Sequence, residues 1–317
     1  MAREEGMIGA VDIGGTKIAV GIVADEGRLL ARVACPTDPD AGYSNAMDRV
    51  RKMLGTLAAQ VGIEIRGIGI GSTGPVNPVS GEFGDVNFFP HWRGENPVRD
   101  LERAFGVTAA IENDADAAAL GEAAWGAGKN KSPLLYVTVG TGIGVGIILD
   151  GRVYRGVGGA HPEIGHHLVD PSGPPCVCGL SGCWESLAAG PGMAAWFDRN
   201  APPEHPREDA KRLCELARQG DPWAQKALAH ETRYLGLGLA NLVTMFVPEV
   251  IVLGGSVMKN APLFLDGIRK IIVSSCGLVP HAQTELALAS LGEDSNLIGA
   301  ARVWHNRFGL KETPRAS

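Results

Sequence analysis

Acidic residues are concentrated in the segment 112–122, which offers the first candidate chemistry in the chain. The segment follows a β-like run over 107–111 and starts with helix-capping residue types before it becomes rich in alanine. This pattern predicts a strand that ends where a helix begins. Asn113 and Asp114 would then lie at the positive end of the helix, where anionic groups are stabilised and substrates often bind. An ordinary N-cap is the alternative role for either residue, but capping does not explain four carboxylates. These are Glu112, Asp114, Asp116 and Glu122.

A second candidate is the segment 12–17, where a short apolar run ends in Asp12 and a Gly-Gly turn follows. An aspartate at a strand end can hold Mg²⁺ through water, and glycines let the backbone approach a phosphate. The spacing is not that of a Walker P-loop, because a second strand rather than a helix follows the turn. A plain hairpin with an exposed lysine is the alternative. The candidate phosphate-binding residues are Gly14, Gly15, Thr16 and Lys17.

A cluster of cysteines downstream of a histidine is the most specific signal in the chain. It consists of Cys176, Cys178 and Cys183. In a chain without a visible secretory signal, such a cluster suggests a metal before a disulfide, and buried free thiols are the alternative. One imidazole and three thiolates would form a closed, tetrahedral, structural zinc site. His161, His166 and His167 compete for the fourth position, and spacing alone does not separate His166 from His167.

Two glutamates, Glu163 and Glu185, flank this cluster. If zinc folds the loop, both carboxylates would be held near a cleft. Carboxylates at a neutral polyol site accept hydrogen bonds from hydroxyl groups and give geometric specificity. The alternative is a pair of solvated surface side chains.

Length and charge limit the classes of protein that fit. The 317 residues predict about two domains with sizeable cores. A net charge of −6 argues against a nucleic-acid surface held by bulk charge. No apolar run reaches the length of a membrane span, and the first residues lack the apolar region of a secretory signal. We therefore expect a cytoplasmic protein with no nucleic-acid or membrane partner.

An internal repeat organises the chain. A strand, a Gly-Thr turn and a second strand occur over 7–24 and again over 134–149. Gly15-Thr16 corresponds to Gly140-Thr141, and the apolar positions after each turn also match. Coincidence between two glycine-rich hairpins is the alternative. The repeat predicts two similar lobes whose turns would bind phosphates through backbone N–H groups. The second turn consists of Gly140, Thr141 and Gly142.

The remaining elements follow from periodicity and turn signals. A buried strand over 67–71 leads into the loop 72–76, where ligands bind in open α/β sheets. The segment 87–92 is polar and aromatic without periodicity, as expected of a binding loop. Helices are predicted over 43–61, 97–105, 208–219, 222–246, 263–274 and 296–308, with a short helix starting at Trp184, and strands over 250–253 and 285–289. We expect the last helix to pack on the first lobe.

Taken together, these motifs resemble the ROK family of bacterial sugar kinases and sugar-responsive repressors, and most of all its glucokinase branch. The motifs that carry the resemblance are 12–17, 112–122, 140–146, 163–166 and 176–185. The resemblance implies an α/β, actin-like ATPase (sugar kinase/ribonuclease H-like) fold with two lobes around a central nucleotide/sugar cleft. The implied lobes are residues 1–121 plus 297–317 and residues 122–296. Family members commonly form dimers, so a homodimer is expected.

The resemblance also implies residue roles. Asp114 would be the general base that takes the proton from the 6-hydroxyl of a hexose, with ATP as donor and Mg²⁺ as cofactor. His166 would be the histidine ligand of the structural Zn²⁺. Gly74, Asn87 and Trp92 would line the sugar loop. Asn113, Glu163, His166 and Glu185 would contact hydroxyls of the sugar. Asp12, Thr16, Lys17 and Thr141 would face Mg²⁺ and phosphate. Gly254, Gly255 and Ser256 would belong to an adenosine pocket. Asp116 and Glu122 are expected to be first-turn and surface or hinge-proximal residues, and Glu112 has no assigned role.

Several alternatives stay open at the level of function. Glucose is the first choice of sugar, but N-acetylmannosamine, fructose, mannose and allose present hydroxyls to the same residues, and polyphosphate is an alternative donor. The segment 87–92 is not the commonest version of the sugar loop, and Val177 replaces a glycine common in the cysteine cluster. A non-catalytic regulator of the same family is the other class of function. A DNA-binding helix-turn-helix would be expected before the first strand, which starts near Met7.

Overall fold

The computed structural model describes residues 6–86 and 88–309. The strands in the described ranges are β1 (Met7–Ile13), β2 (Lys17–Ala24), β3 (Leu29–Pro36), β4 (Ile65–Ser72), β5 (Thr108–Asn113), β6 (Leu134–Val139), β7 (Ile143–Leu149), β8 (Arg152–Val153), β9 (Val250–Gly254) and β10 (Glu285–Leu288). The α-helices there are α1 (Tyr43–Val61), α2 (Pro97–Phe105), α3 (Asp114–Trp125), α4 (Trp184–Ala188), α5 (Gly190–Asn200), α6 (Ala210–Arg218), α7 (Pro222–Phe246), α8 (Leu265–Ser275) and α9 (Ser295–Phe308).

The chain divides into two compact units. The first comprises Met1–Asn130, Gly146–Pro162 and Ala289–Ser317, and the second comprises Lys131–Val145 and Glu163–Leu288. The lobe boundaries expected from the family resemblance, after residues 121 and 296, stay a prediction.

The strands form two sheets with the same strand order. The first sheet has the order β3-β2-β1-β4-β5 and the second the order β10-β9-β6-β7-β8. In the first sheet β1, β2 and β3 are antiparallel neighbours, whereas β4 and β5 run parallel to β1. In the second, β9 is parallel to both β6 and β10, and β7 is antiparallel to β8. A three-stranded meander followed by two parallel strands thus occurs twice, as the internal repeat predicts.

The first sheet is covered by helices on both faces. The helix α1 buries its apolar side, including Met47, Val50 and Leu54, in a core with the residues of β2 and β4. The helix α9 packs against β1, β4 and α3, so the prediction that the last helix joins the first lobe is confirmed. Its approach to β4 is close, because a Cβ added to Gly69 would lie 1.8 Å from the carbonyl oxygen of Ala300.

The second unit differs from the prediction in one helix. The chain over 190–200 forms α5, which the sequence analysis did not predict. Helix-breaking residues at its start, Gly190-Pro191-Gly192, obscure it in the sequence. The predicted helices over 43–61, 97–105 and 222–246 have the observed bounds, and the ends of those predicted over 208–219, 263–274 and 296–308 differ by at most two residues. Within the described ranges, no helix is long and apolar enough to cross a membrane.

Candidate active site

The end of β5 and the start of α3 bring the first group of candidate residues together. Asn113 is the N-cap of α3, and its Oδ1 accepts a hydrogen bond from the N–H of Ala115 at 2.8 Å. The Oδ1 of Asp114 accepts from the same N–H at 2.8 Å, and the Thr73 hydroxyl lies 3.5 Å from its other oxygen. A Cβ on Gly74 would lie 3.0 Å from Asn113 Nδ2. Because Asn113 caps the helix through its oxygen, its amide nitrogen is left to donate elsewhere. Asn87 lies outside the described residues.

A second carboxylate, Asp12, stands beside this group. It lies at the carboxyl end of β1, opposite Gly71 of β4, which in turn is opposite Glu112 of β5. Burial and the negative charge of Asp114 raise the pKa of Asp12 to about 7, although Lys17 acts in the opposite direction. Two carboxylates in one poorly solvated region favour a cation, because a cation stabilises both ionised forms.

The turn after Asp12 is held by a residue that the sequence analysis missed. The N–H of Gly14 donates to the carbonyl of Lys17 at 2.9 Å and closes the turn. The buried Thr37 donates its hydroxyl to the Gly14 carbonyl at 2.6 Å and its N–H to the Thr16 carbonyl at 3.0 Å. Thr16 and Lys17 are exposed. The turn is therefore rigid at its base while its side chains face solvent. No local pattern marks Thr37, which follows β3 by one residue.

The second candidate turn lies between β6 and β7. The N–H of Gly140 donates to the Gly142 carbonyl at 2.9 Å, and the Gly140 carbonyl accepts from the N–H of Gly190, the first residue of α5. Ser256 is near as well, since its Oγ lies 3.4 Å from the position that a Cβ on Gly140 would take. The positive end of α5 thus adjoins a turn proposed to bind phosphate, a location that suits an anion.

Gly255 belongs to the same neighbourhood and requires glycine. Its φ is +90°, and a Cβ there would lie 2.3 Å from the carbonyl oxygen of Val139 at the end of β6. The predicted residues Gly140, Gly255 and Ser256 are therefore brought together, whereas the contribution of α5 was not foreseen.

The four predicted metal ligands converge. One donor atom from each of His166, Cys176, Cys178 and Cys183 can be chosen so that all lie within 4.8 Å of one another. His166 Nδ1 is 3.3 Å from the sulfur of Cys176, and the sulfurs of Cys178 and Cys183 are 3.4 Å apart. Such a set of one imidazole and three thiols, close enough to share one ion, fits the tetrahedral donor set of zinc.

The geometry also separates the competing histidines. His167 Nδ1 lies 2.7 Å from the Ile164 carbonyl, and its Nε2 lies 3.1 Å from the amide nitrogen of Asn241. His161 Nδ1 lies 2.8 Å from a carboxylate oxygen of Asp116. Both rings are engaged away from the cysteines, so His166 is the histidine of the cluster.

The two flanking glutamates differ in environment. Glu163 is exposed. Glu185 accepts a hydrogen bond from the N–H of Ile143 at 2.9 Å through Oε2, and its Oε1 lies 3.9 Å from His166 Nε2. Glu185 therefore connects the cysteine cluster to the end of the second turn.

The acidic segment does not behave as predicted beyond Asp114. Asp116 and Glu122 were expected to be first-turn and surface or hinge-proximal residues, but both are buried. Asp116 is indeed in the first turn, but it is paired with His161, and Glu122 accepts hydrogen bonds from the chain around Ser290. Glu112 forms an ion pair with Arg155, whose Nε lies 3.1 Å from its Oε2. The surface expectation is wrong because residues far away in the chain supply a hydrogen-bond or ion-pair partner to each of these buried carboxylates.

The expectation for Trp92 is also wrong. Its side chain is fully buried, its ring stacks on Phe89 with centroids 4.4 Å apart, and Tyr43 contacts it edge-on at 5.5 Å. A ring enclosed in this way belongs to the core and does not line a sugar site. The exposed aromatic of the segment is Phe88, which covers Gly15 of the first turn.

Comparison with known proteins agrees with this arrangement. The model of the ROK family matches residues 8–307. A glucokinase of Streptomyces coelicolor is 36% identical over 315 residues, covering 93% of this chain and 96% of that protein. The structure of a ROK hexokinase from Thermus thermophilus superposes with a TM-score of 0.80 at 35% identity, covering 94% of this chain and 97% of that chain.

A third relative was solved with ligands. The structure of a ROK family glucokinase from Streptomyces griseus in complex with glucose and AMPPNP gives a TM-score of 0.79 at 33% identity, covering 93% of this chain and 98% of that chain. These likenesses over nearly the whole chain confirm the predicted α/β fold of the actin-like ATPase type.

Proposed function

Because the chain belongs to the ROK family, we propose that it is an ATP-dependent kinase that phosphorylates glucose at the 6-hydroxyl. The relatives named glucokinase, at up to 36% identity over most of both chains, support the reaction. The bound pair in the Streptomyces griseus structure, glucose and AMPPNP, supports the two substrates.

One observation carries the proposal. Asp12, at the carboxyl end of β1, and Asp114, at the positive end of α3, lie at the same edge of the first sheet, because Asp12 is opposite Gly71 of β4 and Gly71 is opposite Glu112 of β5. Phosphoryl transfer needs a base near the acceptor hydroxyl and a cation near the phosphates, and it depends mainly on positioning and charge neutralisation. Asp114 supplies the first, and Asp12 supplies an anionic ligand for the second.

Asp114 is assigned the proton transfer. A positioned base contributes about 10²–10⁴-fold in rate to such a step. Asn113 is assigned a hydrogen bond to a ring hydroxyl of the sugar. Its Nδ2 would donate this bond, because its Oδ1 already accepts the capping bond of α3. The sugar contacts at Gly74, Asn87, Glu163, His166 and Glu185 remain part of the proposal, and the adjacency of Gly74 and Asn113 supports the first of them.

The nucleotide is assigned to the two glycine turns. Asp12 would hold Mg²⁺ through water, because this ion retains several waters in nucleotide sites. Backbone N–H groups of the turn 14–17 and of the turn 140–142 would bind the phosphates, with Thr16, Lys17 and Thr141 as side-chain donors. Gly254, Gly255 and Ser256 would border the adenosine, a role supported by Ser256 Oγ, which lies 3.4 Å from the position that a Cβ on Gly140 would take.

A structural Zn²⁺ is the third ligand proposed. The donor set of His166 and three cysteines fits zinc, and a cluster with all positions filled by protein leaves none open for catalysis. The ion would hold the segment 163–185 in one conformation.

Location and assembly complete the proposal. All six cysteines lie in described residues and none is in a disulfide, which suits a reducing cytoplasm. A homodimer is expected from the family resemblance.

A substrate panel tests the function. Purified protein is assayed for ADP formation with glucose, mannose, fructose, allose and N-acetylmannosamine, and with polyphosphate in place of ATP. We expect the highest kcat/KM for glucose with ATP. A higher kcat/KM for another sugar would replace the substrate but keep the kinase, whereas sugar binding without turnover would indicate a non-catalytic regulator.

A further inference from the structure

Glu185 contacts two parts of the second unit that the proposed function treats separately. It is the second residue of α4, and its side chain retains 26% of its exposure. Its Oε2 accepts the hydrogen bond from the N–H of Ile143 at 2.9 Å, while Oε1 lies 3.9 Å from His166 Nε2. Its carboxylate thus has one oxygen directed to each part.

The Oε2 end fixes the exit of the second phosphate turn. Ile143 is the first residue of β7 and directly follows the turn 140–142. The turn is shaped to the carboxylate, because a Cβ on Gly142 would lie only 2.4 Å from Glu185 Oε2. A side chain at 142 would therefore displace Glu185, and loss of Glu185 would free the N–H of Ile143.

The Oε1 end faces the cysteine cluster. The Nδ1 atom of His166 lies 3.3 Å from the sulfur of Cys176, and its Nε2 atom faces Glu185. If a metal binds Nδ1, the proton of the neutral imidazole is on Nε2, the nitrogen that faces Glu185. Metal-bound histidines usually direct their second N–H to a carboxylate or carbonyl, which fixes the ring and the partner together. An ion in the cluster would thus hold the Glu185 carboxylate through His166.

We propose that Glu185 is a positioning residue that couples occupancy of the His166–Cys183 metal cluster to the geometry of the phosphate turn 140–142. The bound metal then strengthens nucleotide binding in the absence of sugar. This role differs from the sugar contact assigned to Glu185, and it rests on the proposed function in taking the turn as a nucleotide site and the cysteine cluster as a metal site.

A thermodynamic cycle tests the coupling. The Kd of AMPPNP with Mg²⁺ is measured by calorimetry without sugar, for wild type and Glu185→Ala, each with zinc and after zinc depletion by a zinc-selective chelator. Zinc content is checked by mass spectrometry and folding by thermal melting. In wild type, zinc depletion should weaken binding roughly threefold to tenfold, the range of one net hydrogen bond. In Glu185→Ala the Kd should already be weakened by that factor and should change less than twofold on depletion.

Two further variants keep the result interpretable. Ser186→Ala removes a hydrogen bond to the Cys183 carbonyl but no contact with the turn, so it should retain the full zinc dependence of wild type. Glu185→Gln serves if the alanine variant melts early, because it keeps an acceptor for Ile143 but no charge for His166. It should bind AMPPNP with about the Kd of zinc-depleted wild type and lose most of the dependence on zinc.

The outcomes are distinguishable. Equal zinc dependence in wild type and Glu185→Ala, or none in wild type, overturns the coupling and leaves the kinase proposal intact. Absence of AMPPNP binding to zinc-loaded wild type overturns both.

Discussion

The buried carboxylate of Glu122 gives the sharpest test of how the first unit is held together. Its Oε2 accepts hydrogen bonds from the N–H of Ala127 at 2.8 Å and of Ser290 at 3.2 Å, and its Oε1 accepts one from the N–H of Leu291 at 3.0 Å. The hydroxyls of Ser290 and Ser295 each lie 3.4 Å from the carboxylate. One side chain near the end of α3 thus binds two segments remote from each other in sequence.

The expected cost of Glu122→Ala follows from these contacts. The N–H groups of Ala127 and Leu291 are half-buried and would each lose an acceptor at about 1–2 kcal/mol, whereas Ser290 is exposed and can bind water instead. The free energy of unfolding should therefore fall by about 2–4 kcal/mol, a large part of the about 5–15 kcal/mol typical of a protein. Glu122→Gln keeps the volume and one acceptor oxygen, so about half of that loss is expected.

The assay combines urea unfolding with amide hydrogen exchange. Exchange at 127 and 291 should accelerate in Glu122→Ala by more than exchange in the rest of the first unit. Glu26→Gln is the control, because Glu26 is 60% exposed and its replacement should change stability by less than about 0.5 kcal/mol. A loss below about 1 kcal/mol in Glu122→Ala, with unchanged exchange at both amides, would refute the reasoning.

Buried aromatic rings and the cysteine cluster give further tests. Trp92→Ala should lower the free energy of unfolding by about 3–5 kcal/mol because the ring is fully buried. Trp92→Phe should leave KM for sugar within about twofold of wild type. A large rise of KM in Trp92→Phe would place Trp92 in the sugar site. Burial lowers the pKa of His230 and of His305 to about 4. Between pH 6.5 and 4 the unfolded chain therefore binds more protons than the folded chain, and the free energy of unfolding falls as the pH falls through that window. His305→Phe should reduce the stability lost between pH 7 and 4.5 by about 2 kcal/mol in denaturant titrations, and an unchanged loss would contradict the burial of a neutral ring. Purified protein should contain about one zinc per chain by mass spectrometry. Cys178→Ser should lose the zinc and raise KM for sugar. Full sugar affinity in metal-free protein would exclude a role of zinc in shaping the sugar site.

The regular elements were predictable where local signals are strong. The helix α7 starts where it was predicted because local signals mark its first turn. The side chain of Asp221 accepts hydrogen bonds from the N–H groups of Trp223 and Ala224, and Pro222 is the first residue of the helix. The same holds for α2, which Asn96 caps in the predicted manner. The start of α3 at Asp114 was also predicted from capping residue types.

The features that failed depend on contacts far apart in the chain. Glu122 is compensated by residues 168 to 173 positions away, which no local pattern reveals. Trp92 packs on Tyr43, and α5 begins against the Gly140 carbonyl despite its glycine-rich start. In the candidate site, the spacing of residues does not distinguish His166 from His167. The distinction depends on Ile164 and Asn241, which contact the ring of His167.

The central claim is that Asp114 is the base of a sugar kinase, and the most direct measurement is turnover of Asp114→Asn. The variant retains the size of the side chain and an acceptor for the Ala115 N–H, so it should fold and bind AMPPNP as wild type does. Glucose-dependent ADP formation should fall by about 10²–10⁴-fold in kcat. A kcat within tenfold of wild type, in protein shown free of wild-type contamination, would contradict the account.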